Sequence, residues 1–181
     1  QAELYATLGG IYESLGELNR ADTLLDAALT QRRSLRSADS AEIAESMVAL
    51  GMLRSDQARF DEAERLVRAG LALDKRVLPA THPAIASATA SLGVVLENRG
   101  SYAEAITVLG QAIQLERVHG DTTPELNETM SELANTHFYL GHYATSDSIN
   151  RRVLAMSRKL YGDNHPSVAT DLINLGAIQF Q

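Results

Sequence analysis

The sequence predicts an all-α solenoid of helical hairpins in tandem, four units plus one extra helix, and three observations carry that prediction. The first is a period. Leu8-Gly9, Leu50-Gly51 and Leu92-Gly93 recur every 42 residues, Leu133-Ala134 follows 41 later, and Leu175-Gly176 comes 42 beyond that. Ala21, Ala63, Ala105 and Ser146 keep the same rhythm, as do the aromatics Phe60, Tyr102 and Tyr143. So do the prolines Pro83, Pro124 and Pro166, with Ala41 at the equivalent place of an earlier unit. Self-similarity at a fixed spacing of this size marks stacked supersecondary units. The second observation is helical spacing of apolar residues inside each unit. The third is composition: 45% apolar and 22% charged residues, no tryptophan and only 4 prolines describe a globular, helix-prone chain.

The elements follow in order. Helices are expected over about 2–15, 18–36, 40–57, 60–78, 83–99, 102–119, 123–140, 143–160 and 166–180. They group into repeats of about 2–39, 40–81, 82–122 and 123–164, with a partial fifth at 165–181. Between Pro83 and Arg99 the residues Ile85, Ala88, Leu92, Val95 and Leu96 form a stripe on a 3.6-residue helix. Asn98-Arg99-Gly100-Ser101 breaks it with a glycine suited to a left-handed helix stop. Ala105, Ile106, Leu109, Ala112, Ile113 and Leu115 resume the pattern. At the next start Thr122 and Glu125 have capping-box spacing ahead of the helix, and in Asp163-Asn164-His165-Pro166 an Asn or Asp is the expected cap. Ten residues separate Leu73 from Pro83 and Met156 from Pro166, but nine separate Leu115 from Pro124. The one-residue deletion therefore falls at that helix end or loop, where it disturbs packing least.

Gly9, Gly51, Gly93, Ala134 and Gly176 stand in helix interiors, where glycine costs about 1 kcal/mol against alanine. A cost repeated at one place in the unit implies a geometric need, close approach of the second helix of the same unit. Ala21, Ala63, Ala105 and Ser146 are the expected facing residues.

Leu-Gly in a first helix, a turn glycine followed by an aromatic, and an alanine early in a second helix resemble the tetratricopeptide repeat. The 42-residue period and linkers such as Tyr161-Gly162-Asp163-Asn164-His165-Pro166 resemble its kinesin-light-chain-like subtype. The resemblance spans essentially the whole chain. Ala58 departs from it at the turn glycine of the second unit, and Arg54 and His137 stand where Tyr12 places an aromatic in the first. The resemblance implies a right-handed superhelix whose first helices line a groove that holds a peptide or partner segment. By offset from each small residue, that groove takes Glu3, Ala6, Thr7, Gly10, Glu13 and Ser14 from the first unit. The second gives Glu45, Val48, Ala49, Met52, Ser55 and Asp56, and the third Ser87, Ala90, Ser91, Val94, Glu97 and Asn98. From the fourth come Glu128, Ser131, Glu132, Asn135, Phe138 and Tyr139. The subtype's backbone-clamping asparagine would precede the Leu of each Leu-small pair. Thr7, Ala49, Ser91 and Glu132 stand there instead, with asparagine only at Asn174, so the subtype's ligand preference does not carry over.

Charge gives a separate clue. These groove places hold the acids Glu3, Glu13, Glu45, Asp56, Glu97, Glu128 and Glu132 and no Lys or Arg. Basic residues fall largely on second helices, at Arg32, Arg33, Arg36, Arg65, Arg68, Lys75, Arg76, Arg151, Arg152, Arg158 and Lys159. One-signed clefts concentrate the opposite charge, so a basic segment is one expected occupant, a merely solvated helix face being the other reading. Val48, Met52, Val94, Phe138 and Tyr139 are the candidate apolar anchors, or else partly buried packing.

Other functions find no support. With 16 basic against 23 acidic residues the net charge of −7 has the wrong sign for a nucleic-acid binder. No apolar run reaches the ~18 residues of a membrane span. The absence of cysteine removes disulfides, thiolate metal sites and a cysteine nucleophile. No phosphate loop, dinucleotide fingerprint or zinc-protease motif occurs, so no catalytic, cofactor or metal residue is expected. The five histidines read as helix-end or surface residues, with His137 and His142 not sharing a helical face, and Asn127-Glu128-Thr129 as a chance sequon inside a helix. The expectation is a non-catalytic, cytoplasmic interaction scaffold cut from a longer chain, able to self-associate through an exposed last helix bearing Leu172, Ile173, Leu175, Ile178 and Phe180. The alternative is a ligand-sensing regulatory region of a larger signalling protein such as a bacterial serine/threonine kinase, a setting the resemblance suggests.

Overall fold

The computed structural model describes residues 1–35 and 40–179. Arg36, Phe180 and the expected helix ends they mark lie outside the described residues. Among the described residues the elements are α1 (Ala2–Ser14), α2 (Leu18–Leu35), α3 (Ala41–Asp56), α4 (Phe60–Val77), α5 (Pro83–Asn98), α6 (Tyr102–Glu116), a 3-10 turn (Arg117–His119), α7 (Pro124–Tyr139), α8 (Tyr143–Tyr161) and α9 (Pro166–Ile178). Each odd-numbered helix packs on the even-numbered one that follows, and each even-numbered helix on the next unit's first helix. The first helices also touch one another, α1 with α3, α3 with α5 and α5 with α7. The result is an all-α helical repeat solenoid with first helices in one layer and second helices in the other.

Capping is periodic too. The caps that use a side chain are Ser40, His82, Thr123 and His165, which accept from the backbone N–H of Ile43, Ala84, Leu126 and Ser167. Thr123 thus replaces the expected Thr122, and His165 replaces the expected Asn or Asp. The reason is that proline at the first helical position fixes the residue before it as the cap. Gly16, Gly100 and Gly141 close three hairpins at positive φ, and Ala58 takes the same left-handed conformation at φ 58° in the second. At the one-residue deletion the last turn of α6 winds into the 3-residue 3-10 segment. A 3-10 turn rises about 0.5 Å more per residue than an α-helix, so three residues make up roughly one helical residue of height.

The second helices share one inner face at four offsets. Ala21, Leu25 and Ala28 occupy it in α2; Ala63, Val67 and Gly70 in α4; Ala105, Leu109 and Ala112 in α6. All are buried. A Cβ added at Gly9, Gly51 or Gly93 would lie 2.6, 2.6 and 2.5 Å from a side-chain carbon of Leu25, Val67 and Leu109. The close neighbour is therefore the residue one turn beyond the expected alanine. Ala63 still contributes its carbonyl, 3.2 Å from the Gly51 position. Gly70 makes a second close approach, toward Val48 and the Ala44 carbonyl at 2.8 and 2.9 Å. Unit four solves the same contact differently: Ala134 replaces glycine, and the smaller Asn150 replaces the leucine or valine. Ser146 and Asn150 there are buried, with Ser146 Oγ donating to the Ala134 carbonyl at 2.8 Å.

The departures in unit two also find a cause. Arg54 is only 8% exposed, and its guanidinium meets Asp22 of α2 at 2.7 Å and Gln57 at 2.9 Å. Hydrogen bonding to Arg54 is the main reason the Asp22 carboxyl stays below its ordinary range. An ion pair between units thus stands at the register position that Tyr12 takes in the first unit. On α9, Leu175 and Ile178 are buried, whereas Leu172 and Ile173 are exposed and Gly176 faces open space.

Candidate functional site

Two cavities open on the layer of first helices. The larger, about 700 Å³, lies among α3, α5, α7 and the end of α6. Of the expected groove residues it gathers Met52, Ser87, Ala90, Ser91, Val94, Glu128 and Glu132. The second, about 670 Å³, lies between α1 and α3 and gathers Glu3, Ala6, Thr7, Gly10, Glu13, Glu45 and Ala49. Helix geometry explains why offsets found these residues. Positions three and four apart share one face, and the small residue in each first helix turns the opposite face to its partner helix.

Other expected residues are placed elsewhere. Val48 turns toward α4 and packs partly buried against the third unit's core. Ser55 is buried and accepts from Asn98 Nδ2 at 2.9 Å, a bond that ties α3 to α5. Asp56 is exposed, near enough to raise the Glu13 carboxyl pKa, for which desolvation is the larger cause. Phe138 and Tyr139 join an aromatic cluster at the α7–α8 turn: Tyr139 stacks on Tyr102 with centroids 5.9 Å apart, and Phe138 meets Tyr143 edge-on at 5.4 Å. Neither lines either of these two cavities.

The larger cavity also draws on residues outside the offset rule. Glu116, Glu125 and Thr129 line it with Pro83, Ala84, Ala86, His119 and Thr123. Its carboxylates are Glu116, Glu125, Glu128 and Glu132, and no Lys or Arg lines it. Glu116 is 6% exposed; Thr129 Oγ1 donates to its Oε1 at 2.8 Å, and Oε2 has no hydrogen-bond partner. Desolvation raises the Glu116 pKa, opposed by the Thr129 bond and reinforced by Glu125 and Glu128. Desolvation and then Glu128 raise Glu132, against a hydrogen bond from Asn135. Glu97, which does not line this cavity, accepts from the Thr136 hydroxyl. Its pKa is pushed up to about 7, chiefly by burial and further by Glu132.

The second cavity corrects the charge expectation. Arg32 of α2 reaches into it, donating at 2.7 Å to both the Glu42 carbonyl and Ser46 Oγ, and lying 3.2 Å from Glu45. A basic residue on a second helix thus neutralises part of the first-helix acid, and only the larger cavity keeps one sign.

Arg32 and Glu116 belong to one periodic series that the sequence reading missed. Arg32, Asp74, Glu116 and Ser157 share the fourth offset of the second-helix inner face, and Ser46, Ala88, Thr129 and Asp171 share one register on the first helix of the next unit. Three pairs are hydrogen-bonded: Arg32 with Ser46, Glu116 with Thr129, and Ser157 with Asp171. In the second unit the buried Asp74 has one oxygen without a partner, and desolvation raises its pKa. The available signal was a polar residue standing on an otherwise apolar stripe.

His137 and His142, which share no helical face, are brought together by the turn between α7 and α8, their Nδ1 atoms 3.3 Å apart. Desolvation, and then His142, holds the His137 pKa down. Among the described residues no group of three His, Asp or Glu could hold a metal ion. The sequon asparagine Asn127 is 7% exposed and bonded to Ser157 at 2.8 Å. Among the described residues no helix is long and apolar enough to cross a membrane.

Stacked helical hairpins with two recesses on the first-helix layer define a helical repeat solenoid. Family models of the tetratricopeptide repeat match residues 1–76, 85–125 and 128–167, and the chain belongs to that family. Membership gives the coarse role of a protein-interaction scaffold. No curated protein matches the sequence. Among solved structures it is similar to a Podosopora anserina protein described as a kinesin light chain of nearly identical TPR-like repeats. The TM-score is 0.81 at 18% identity, covering 98% of this chain and 84% of that one. It is also similar to BtubC (BKLC) from P. vanneervenii, with TM-score 0.83, 18% identity and 98% and 71% coverage. A Rap protein complexed with Competence and Sporulation Factor gives TM-score 0.82 at 12% identity, over 98% of this chain and 47% of that one.

Proposed function

We propose that this array docks an extended, basic segment of a partner protein along its first-helix face, centred on the larger cavity. The observation that carries the reading is that cavity's composition: four carboxylates, no Lys or Arg, and apolar walls from Met52, Val94, Ala84 and Ala90. Such a recess attracts positive charge at a distance and takes apolar contact at close range. Charge of this kind is screened over about 8 Å at physiological salt, so it acts mainly on the on-rate, and the apolar walls act on the off-rate. A peptide-display selection tests the reading. Selected binders should be enriched in Lys and Arg, and E128K with E132K should slow their association while leaving the helical melt unchanged. Acidic binders, or binding indifferent to those substitutions, would refute it.

A volume of about 700 Å³ also falls within the range of small-molecule sites, which favours the ligand-sensing alternative as a second reading. In that case a metabolite screen by thermal shift finds a saturable ligand and peptides do not compete with it. Self-association through Leu172 and Ile173, which are 48% and 70% exposed, is a separate proposal. Light scattering of wild type against I173E decides it, since a charge on that patch should lower any concentration-dependent mass.

A further inference from the structure

The four carboxylates of the larger cavity are not arranged alike. Glu125, Glu128 and Glu132 are spaced three and four apart on α7, and so project from one helix face as a row. Glu116 comes from the other side, from the end of α6, and is the buried one. Its Oε1 is occupied by the Thr129 hydroxyl, and its Oε2 is buried without a hydrogen-bond partner. A carboxylate in that condition is costly to keep, because burial removes water and nothing among the described residues replaces it at Oε2. The equivalent place in unit one holds Arg32, which fills its own recess with a guanidinium bonded across to the next unit. Unit three inverts the charge there and leaves the recess open.

Resting on the reading that this face docks a partner segment, we infer that the larger cavity is a pocket for one arginine side chain of the partner, with Glu116 as its floor. The guanidinium presents five N–H donors in a planar fork, more than a single carboxylate can accept, which suits a recess lined by several. Lysine offers a compact, strongly hydrated charge and fits a desolvated recess less well. Met52, Ala90 and Val94 supply apolar wall for the aliphatic stem. A compact metal ion is the poorer occupant: among the described residues no three of these groups converge closely enough to hold one. The cavity is larger than a single side chain, so the backbone on either side of the arginine finds room on the same face.

The test uses the whole chain and N-acetyl-arginine methylamide as the probe, titrated at constant ionic strength and followed by methyl and amide NMR. The lysine and citrulline analogues serve as comparisons, citrulline having nearly the same shape without the charge. The expected result is saturable shifts concentrated at Met52, Val94 and Thr129, with citrulline binding at least about 10-fold more weakly and lysine between them. E116Q keeps an acceptor for Thr129 and so should fold, but it should weaken arginine binding by roughly 10-fold, whereas E17Q, remote from the cavity, should not. Shifts scattered over the acidic surface, equal binding of citrulline, or an unaffected E116Q would each overturn the pocket. That failure leaves the docking face standing if displayed peptides still map to it. Conversely, a working arginine pocket with no displayed peptide on the face would refute the docking reading and not this one.

Discussion

Replacing Gly93 by alanine separates two effects that usually travel together. In an open helix interior the change gains about 1 kcal/mol from propensity. At Gly93 the new Cβ would sit 2.5 Å from both Cγ and Cδ2 of Leu109, about 1 Å inside normal carbon contact. Leu109 is fully buried and its own backbone is nearby, with its N atom 3.5 Å from the same point, so it has little room to withdraw. Overpacking of this kind costs about 1–3 kcal/mol. Gly110, one helix along, is the matched control, because a Cβ there meets nothing within 4 Å. Propensity cancels between the two variants, and the remaining difference is the packing cost alone. Urea melts with unchanged m should therefore place G110A above wild type and G93A below G110A by about 1–3 kcal/mol. Equal stability of the two variants would refute the helix pairing on which the placement of both cavities rests.

Unit four supplies the complementary experiment: N150L alone should crowd Ala134 and destabilise, but together with A134G it should recreate the Gly–Leu contact, giving a coupling of at least about 1 kcal/mol in a double-mutant cycle. A58G should stabilise by about 0.5–1 kcal/mol in the same melts, since alanine at φ 58° carries a left-handed penalty that exceeds the extra freedom glycine gains when unfolded. Stability should also depend on Glu97, whose folded pKa of about 7 exceeds the 4.5 of the unfolded chain. Between those values the folded state holds more protons, so stability falls as pH rises from about 4.5 to 7 and is flat above. The raised carboxyls of Glu116 and Glu132 act in the same direction. Urea midpoints should be higher at pH 5 than at pH 7.5, and E97Q should remove much of that difference.

The fold was legible because its markers are periodic and its helices amphipathic. Leu50-Gly51 and Leu92-Gly93 needed no three-dimensional information to be read as one place in two units. The offset rule also placed Ser91, Val94, Glu128 and Glu132 on the cavity wall, since a helix fixes which residues share a face. It failed where a side chain's fate depends on another helix. Arg32 stands out in the sequence only as one of many second-helix basic residues and Glu116 not at all, yet their inner-face position carries them into the recesses between units. Val48 satisfied the offset but is drawn to α4 by the gap at Gly70. Tyr139 and Phe138 lie at a helix end, where neighbouring aromatics at the turn outweigh the groove. His137 and His142 meet only because the chain reverses between them.

The central claim is that the partner lies on the first-helix layer, and a spin-labelled, display-selected peptide tests it directly. The label should broaden the methyl resonances of Met52, Ala90 and Val94 first, with Ala69 and Ala72 of α4, both exposed, left sharp. Broadening confined to Ala69 and Ala72, with the cavity methyls untouched, would contradict it.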